Sequence, residues 1–276
     1  MSKGHVFLAQ NSSVDYVKQA FALACTIKHH NKTHNQTCLI TNDVVPDQYR
    51  HVFDYIVPIP GIDNAKGSQW KIHNRWKIIH ITPFTENLVY DTDMLLLGSN
   101  DHWWNFLVDK DVVLTSRVKD YKGRIIKNDF YRKTFTSNNL PNCYLGVHFF
   151  QKSHRAFEFY KWLEVITNNY QDFYEKYTPK NQQKFCSMDL NASLATKFMD
   201  TEHEFLIDTD TPSFIHMKSA IQGWASNNKS WQDTVPYRYT NNEMTVANIV
   251  QSGVFHYTED DFLTDELLEK INGLSY

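Results

Sequence analysis

The stretch "ENLVYDTDMLLLGSND", Glu86 to Asp101, sets two carboxylates, Asp91 and Asp93, between two apolar runs near the middle of the chain. Asp is a poor strand former, and a buried charge without a partner costs several kcal/mol. Residues two apart on a strand point to the same side, so Asp91 and Asp93 should project together where the strand's regular pattern fails. Like charges that close repel unless something positive lies between them, and hard oxygen ligands favour Mn²⁺ or Mg²⁺. Such an ion keeps several waters and takes phosphate oxygens for the rest, so the pair suits a diphosphate. A bare Asp-x-Asp is also a common solvated turn, and the flanking sequence has to decide between the two.

Upstream, the apolar run "HVFLAQ" (5–10) stops at "NSS" and is followed by "VDYVKQAFALACTIKHH", where Val14, Val17, Phe21 and Ala24 fall at helical spacing. Ser12 with Asp15 has the form of a capping box at the start of that helix. "TCLITND" (37–43) and "YIVPIP" (55–60) repeat the pattern of a short buried strand ending in turn residues, at spacings that suit βαβ units. "SQWKIHNRWKIIHI" (68–81) puts Trp70, Ile72, Trp76 and Ile79 on one face and predicts a helix closed by Pro83. It leads into a strand covering "NLVYDTDMLLL". Strand, loop and helix followed by an apolar strand with Asp-Thr-Asp is the order expected of an active site at the carboxyl ends of parallel strands.

Downstream, "DVVLTSRV" (111–118) and "CYLGVHFF" (143–150) predict strands on either side of a polar stretch, 119–139. Helices follow in "HRAFEFYKWLEVI" and "SMDLNASLATKFM", and "SGVFHYT" (252–258) is the last apolar run. No internal repeat or low-complexity linker divides the chain. One large α/β domain is expected, with the tail folded back onto the main sheet.

The 276 residues, 42% hydrophobic, suffice for such a core. The 28 basic and 31 acidic residues are well mixed and give a net charge of -3, which argues against nucleic acid or an anionic membrane as a partner. Cys25, Cys38, Cys143 and Cys186 are scattered beside apolar runs without a Cys-x-x-Cys pair, and read as reduced core thiols of a cytoplasmic protein. No apolar stretch reaches membrane-spanning length.

"RWKIIHITPFTENLVYDTDMLLL" resembles the donor-site segment of GT-A-fold glycosyltransferases with a DxD motif. The likeness is greatest to the family of glycogenin and the lipopolysaccharide galactosyl- and glucosyltransferases (family 8-like). There a helix with a basic residue runs through a Pro into the Asp-x-Asp strand. The resemblance implies a Rossmann-like, mixed but mainly parallel sheet flanked by helices, divided into a nucleotide-sugar half (5–118), an acceptor half (119–258) and a last helix (259–276). It implies a metal-dependent, retaining hexosyltransferase that uses a UDP-linked hexose, glucose or galactose, and a carbohydrate or other hydroxyl acceptor. Asp91 and Asp93 would hold Mn²⁺ or Mg²⁺, with Thr92 between them on the diphosphate. Arg75, or Lys77, would take the basic position, and the loop Ala9 to Asn11 would touch the base or ribose.

Further along, "DLNASLA" resembles the family's Asp-plus-Leu-Asn helix start, making Asp189 and Asn191 candidates for sugar hydroxyls and Asp189 a catalytic candidate. Asp189 as a helix cap is the plainer reading. "YLGVHFF" stands where the family has Asn-Ala-Gly, and its nearest Asn is Asn142. "GVFHYT" resembles the late strand whose His completes the metal shell, here His256, with His216 in "FIHMKSAIQGW" the rival. Lys218 is a candidate for neutralising the leaving phosphate. The family's Gly-x-x-Lys-Pro-Trp after the His is replaced by "EDDFLTDE", which leaves open a relative that binds nucleotide sugar or carbohydrate without turnover. An Asp-based phosphatase would need Thr where Leu95 stands, and a nucleotidyltransferase would open with a Gly-rich basic loop that "AQNSSVDY" lacks. The tryptophans, including "HWWNF" and Trp224, are either flat faces for sugar rings or core.

Overall fold

The computed structural model describes residues 2–68, 71–126, 132–217, 230–240 and 242–275. The strands in chain order are β1 (Lys3–Leu8), β2 (Thr37–Ile40), β3 (Tyr55–Val57), β4 (Glu86–Tyr90), β5 (Met94–Leu96), β6 (Val112–Thr115), β7 (Tyr144–Gln151), β8 (Phe214–His216), β9 (Tyr237–Thr240), β10 (Glu243–Val246), β11 (Ile249–Val250) and β12 (Val254–His256). The helices are α1 (Tyr16–His30), α2 (Asp47–Arg50), α3 (Ile78–Ile81), α4 (Trp103–Leu107), α5 (Lys133–Ser137), α6 (His154–Asn168), α7 (Tyr170–Tyr177), α8 (Met188–Phe198), α9 (Glu202–Phe205) and α10 (Asp265–Asn272). None of the described helices is long and apolar enough to cross a membrane.

Six strands form the central sheet in the order β3-β2-β1-β4-β7-β6. β3, β2, β1 and β4 are mutually parallel, and β7 runs antiparallel to both β4 and β6. This is the expected mixed, mainly parallel α/β sheet. Both faces are covered, so successive residues of a strand serve different cores: Phe7, Leu39, Leu88, Tyr90 and Phe149 enter one buried cluster, while Val6, Cys38, Ile40, Val89 and Phe150 enter the other. A period of two with no polar face makes these strands near-continuous apolar runs. The first cluster also takes Phe21 and Leu23 of α1 and Leu267 and Ile271 of α10; the second takes Phe159 and Leu163 of α6 and Leu190 and Leu194 of α8. Each such side chain contributes about 1.5–3 kcal/mol by leaving water. The four cysteines are buried free thiols.

Four local expectations need correction. The apolar run through Asp91 is two strands in two sheets: β4 ends at Tyr90, and β5 joins a three-stranded sheet in the order β5-β12-β8. The helix expected over 68–81 is described only from Arg75, as a 3-10 turn Arg75–Lys77 running into α3. Lys71 has φ of +27° and the Asn74 side chain is tied to Gln10 and Asp63, which precludes a regular helix there. Asp15 rather than Ser12 caps α1, accepting from Lys18 N at 2.9 Å, so the helix opens two residues after Val14. The last helix covers Asp265–Asn272 and not 259–276, because Thr264 is its cap. Trp70, Trp224 and Lys218 lie outside the described residues. Trp104 and Trp231 are fully buried core residues, and Trp103 nearly so.

Candidate active site

In the sheet order, β1 leads on one side to β2 and β3, and on the other to β4 and β7. The carboxyl ends of β1 and β4 therefore flank the point where the order reverses, the usual place for a crevice in an open α/β sheet. A cavity of about 550 Å³ opens there, lined by Leu8 and Gln10 beyond β1, Asp91, Thr92 and Asp93 beyond β4, and Arg75 and Tyr16. Its size is that of a small-molecule site.

Asp91 is anchored at the last rung of the sheet, where its N–H donates to Gly146 O at 2.7 Å. A Cβ on Gly146 would stand 2.8 Å from Asp91 Oδ2, so glycine in β7 makes room for the carboxylate. Arg75 Nη2 pairs with Asp91 Oδ1 at 2.5 Å. Burial nonetheless raises the Asp91 pKa; Arg75 offsets this, while the charge of Asp93 adds to it. His148 is enclosed beside Arg75, its Nδ1 donating to Leu145 O and its Nε2 accepting from Tyr160 OH; burial and then the Arg75 charge push its pKa down to about 3.

After Asp93 the chain peels away into β5, which pairs antiparallel with β12 so that Met94 stands opposite His256. Tyr257 N donates to Asp93 O at 3.2 Å, and His256 Nε2 donates to Asp93 Oδ2 at 2.9 Å. One ligand atom each from Asp91, Asp93 and His256 lies within 4.8 Å of the others. Opposite ligands of an octahedral Mg²⁺ stand about 4.2 Å apart, twice the 2.1 Å bond, so small side-chain shifts suffice. Two carboxylates and an imidazole suit Mn²⁺ as well. His216, next to His256 across β8 and β12, also lines the cavity with its ring edge-on to His256 at 5.2 Å.

The other wall comes from α8 and the segment before β7. Ser187, not Asp189, caps α8 by accepting from Leu190 N. This frees Asp189 to face the cavity, where Oδ1 accepts from Leu145 N at 2.7 Å and Oδ2 from Arg132 Nη1 at 2.9 Å. Tyr144 lines the same wall.

Several sequence-predicted residues stand elsewhere. Ala9 is fully buried, and Asn11 is spent on the start of α1, its Oδ1 accepting from Val17 N and its N–H donating to Asp43. Their alternates in the period of two, Leu8 and Gln10, reach the cavity. Lys77 is buried and donates to the carbonyls of Pro60 and Ile62, so Arg75 alone takes the basic position. Thr92 does line the cavity, but its hydroxyl donates to Gln19 Oε1 at 3.0 Å, which ties the Asp turn to α1. Asn142 accepts from Arg132 Nε at 2.7 Å and stands behind the wall. Asn191 is fully buried between helices, bonded to Tyr174 OH and Thr167, and does not reach the cavity. The residues missed from sequence are Arg132, Tyr16 and Tyr144, while Gln10 lies inside the loop Ala9 to Asn11 that the sequence pointed to. For Arg132 there was no signal, since the partner that gives it a role, Asp189, is 57 residues away.

No protein-family model and no curated protein sequence matches the chain. Solved structures do. The galactosyltransferase LgtC, solved with donor and acceptor sugar analogs, aligns over 99% of this chain and 96% of its own, at 14% identity and a TM-score of 0.53. Mouse xyloside xylosyltransferase 1 aligns over 96% of this chain and 100% of its own, at 9% identity and a TM-score of 0.53. The glycosyltransferase GlyE of Streptococcus pneumoniae TIGR4 aligns over 99% of this chain, at 13% identity and a TM-score of 0.50, and this chain spans only 62% of it. The fold is thus the GT-A fold of these glycosyltransferases.

Proposed function

We propose that this GT-A-fold chain is a metal-dependent glycosyltransferase that moves a hexose from a UDP-linked donor to a hydroxyl of a carbohydrate or similar acceptor, with retention of configuration. The observation that carries the reading is the Asp91, Asp93 and His256 group beside Arg75 in a cavity at the carboxyl ends of β1 and β4. LgtC, which shares the fold, has been solved with donor and acceptor sugar analogs, and this supports a nucleotide sugar and a carbohydrate as the partners.

Asp91, Asp93 and His256 would hold Mn²⁺ or Mg²⁺. When bound, the ion supplies the positive charge that stabilises the departing diphosphate. Arg75, on the same wall, presents a planar fork of donors suited to phosphate oxygens. Tyr16 and Gln10 form the nucleoside end, where the ring offers a flat face and Gln10, held by Asp63 and Asn74, shapes the floor. Asp189 accepts sugar hydroxyls from the opposite wall. Residues 5–118 on this reading form the nucleotide-sugar half and 119–258 the acceptor half, with His256 completing the metal set from the second.

The test is Mn²⁺-dependent hydrolysis of UDP-glucose and UDP-galactose by the wild type and by Asp91→Ala and Asp93→Ala. Turnover in the wild type and its loss in both variants is expected. Turnover that survives both substitutions would remove the role given to the Asp pair. Binding of a UDP-sugar without any turnover by the wild type would favour a non-catalytic relative.

A further inference from the structure

We infer that Arg132 is a positioning residue that fixes the Asp189 carboxylate as a rigid acceptor for hydroxyls of the transferred sugar, and thereby sets discrimination between hexose epimers. The inference rests on the glycosyl-transfer reading above and deepens it.

The starting point is that Arg132 has only 3% of its side chain exposed although it borders the cavity. Such a charge persists in the interior only where partners meet it in nearly every direction. Nε donates to Asn142 Oδ1 at 2.7 Å, Nη1 to Asp189 Oδ2 at 2.9 Å and Nη2 to Cys143 O. The faces are held as well: the guanidinium carbon lies 3.7 Å from the Phe135 ring centre and 3.9 Å from that of Tyr144. Edge and face together immobilise the plane, a geometry that a lysine ammonium does not reproduce.

That immobility passes to Asp189. Its two oxygens have separate fixed partners, Leu145 N on Oδ1 and Arg132 on Oδ2, so the carboxylate can neither rotate nor swing. A carboxylate oxygen has a second lone-pair direction, and 28% of the Asp189 side chain opens to the cavity. What faces a substrate is a fixed pair of acceptors, and the natural donors to it are sugar O–H groups. Epimers place one hydroxyl differently, and a rigid acceptor left without its donor penalises the wrong one, whereas a mobile carboxylate follows either.

The experiment measures kcat and KM across a panel of UDP-hexoses that includes glucose and galactose, together with the Kd of UDP in Mn²⁺. The variants are Arg132→Met, Arg132→Lys, Asp189→Ala and the Arg132→Met/Asp189→Ala double. Arg132→Met is expected to lower kcat/KM for the preferred donor by about 10–100-fold, the scale of a small misplacement. The ratio between epimers should move towards one, Arg132→Lys should recover little, and the UDP Kd should stay unchanged. In the double variant the two losses should not add, since one residue acts through the other. Equal losses for all donors, additive losses, or a weakened UDP Kd would each overturn the inference. If Arg132→Met does not fold, Asn142→Ala removes only the Nε acceptor and should shift the epimer ratio the same way by less; an unshifted ratio there also overturns it. Absence of turnover by the wild type on every donor would defeat the glycosyl-transfer reading itself and this inference with it. Wild-type turnover with an unmoved epimer ratio would defeat the inference alone.

Discussion

Two arginine–aspartate pairs line one cavity, and they differ in what surrounds them. Arg75 meets Asp91 at 2.5 Å, and Arg132 meets Asp189 at 2.9 Å. Around Asp91 negative charge is in excess: Asp93 stands beside it and adds to the rise in pKa that burial causes, and Arg75 and His256 offset this only in part. Around Asp189 the count closes, because a backbone N–H and a guanidinium saturate one direction of each oxygen and the arginine is held on its edge and both faces. The first wall sets two carboxylates against one arginine, and the second sets one against one. Similar ion pairs can therefore be a binding site in one place and a fixed template in another, and the neighbours decide which.

The largest expected effect breaks the first wall. Asp91→Ala or Asp93→Ala should lower Mn²⁺-dependent turnover of UDP-sugars by about 10²–10³-fold, the scale of losing a preorganised electrostatic contact in catalysis. Asp189→Ala should cost turnover without weakening Mn²⁺ binding in the presence of UDP. Equal loss of Mn²⁺ affinity in all three would dissolve the distinction between the walls. Next comes Gly146→Ala, whose new methyl would stand 2.8 Å from Asp91 Oδ2. Overpacking of this kind costs about 1–3 kcal/mol. A lower melting temperature and at least a tenfold weaker response to Mn²⁺ are expected in a thermal-shift titration. The Arg132 variants follow, with their change of donor preference.

A smaller effect separates the walls by pH. Because the Asp91 pKa is raised, and a cation must displace protons from its ligands, Mn²⁺ affinity should fall on acidification at a higher pH than for ordinary carboxylates. Calorimetric titration between about pH 5 and 8 checks this. The smallest effect lies in the support beneath. Burial lowers His148 to about 3 and His5 to about 4 in the folded chain, against an ordinary value of 6.5. The folded state keeps both neutral while the unfolded chain takes up protons below 6.5. Their contribution is thus complete above pH 6.5 and is lost as the pH falls from there towards 4. The melting temperature should decline across that window, and less steeply in His5→Asn than in the wild type.

The first wall was legible in the sequence because its parts lie close together along the chain. Strand periodicity located β1, β2 and β4, the Asp pair sat where apolar alternation broke, and Arg75 stood just upstream. Apart from the helix expected over 68–81 and the strand that divides at Asp91, the errors there were of one or two residues and have local causes. Side chains at the end of β1 alternate, so Gln10 rather than Ala9 or Asn11 reaches the cavity, and Asp15 outcompeted Ser12 as cap. The second wall was not legible. Arg132 lies in a polar stretch that reads as a surface loop, and its partner Asp189 is 57 residues away. A buried arginine is recognisable only from the groups that enclose it, and no local spacing records those. Asn191 shows the converse: it stands two residues from Asp189 on α8, yet helical geometry turns it into the helix interface.

Whether Asp91 and Asp93 form a cation site that in turn holds diphosphate is tested most directly by calorimetric titration of Mn²⁺ into the protein with UDP present. One Mn²⁺ per chain is expected in the wild type and in Asp189→Ala, with binding abolished in Asp91→Asn and Asp93→Asn. Undiminished Mn²⁺ binding in both Asn variants, or UDP binding indifferent to Mn²⁺, would contradict the account.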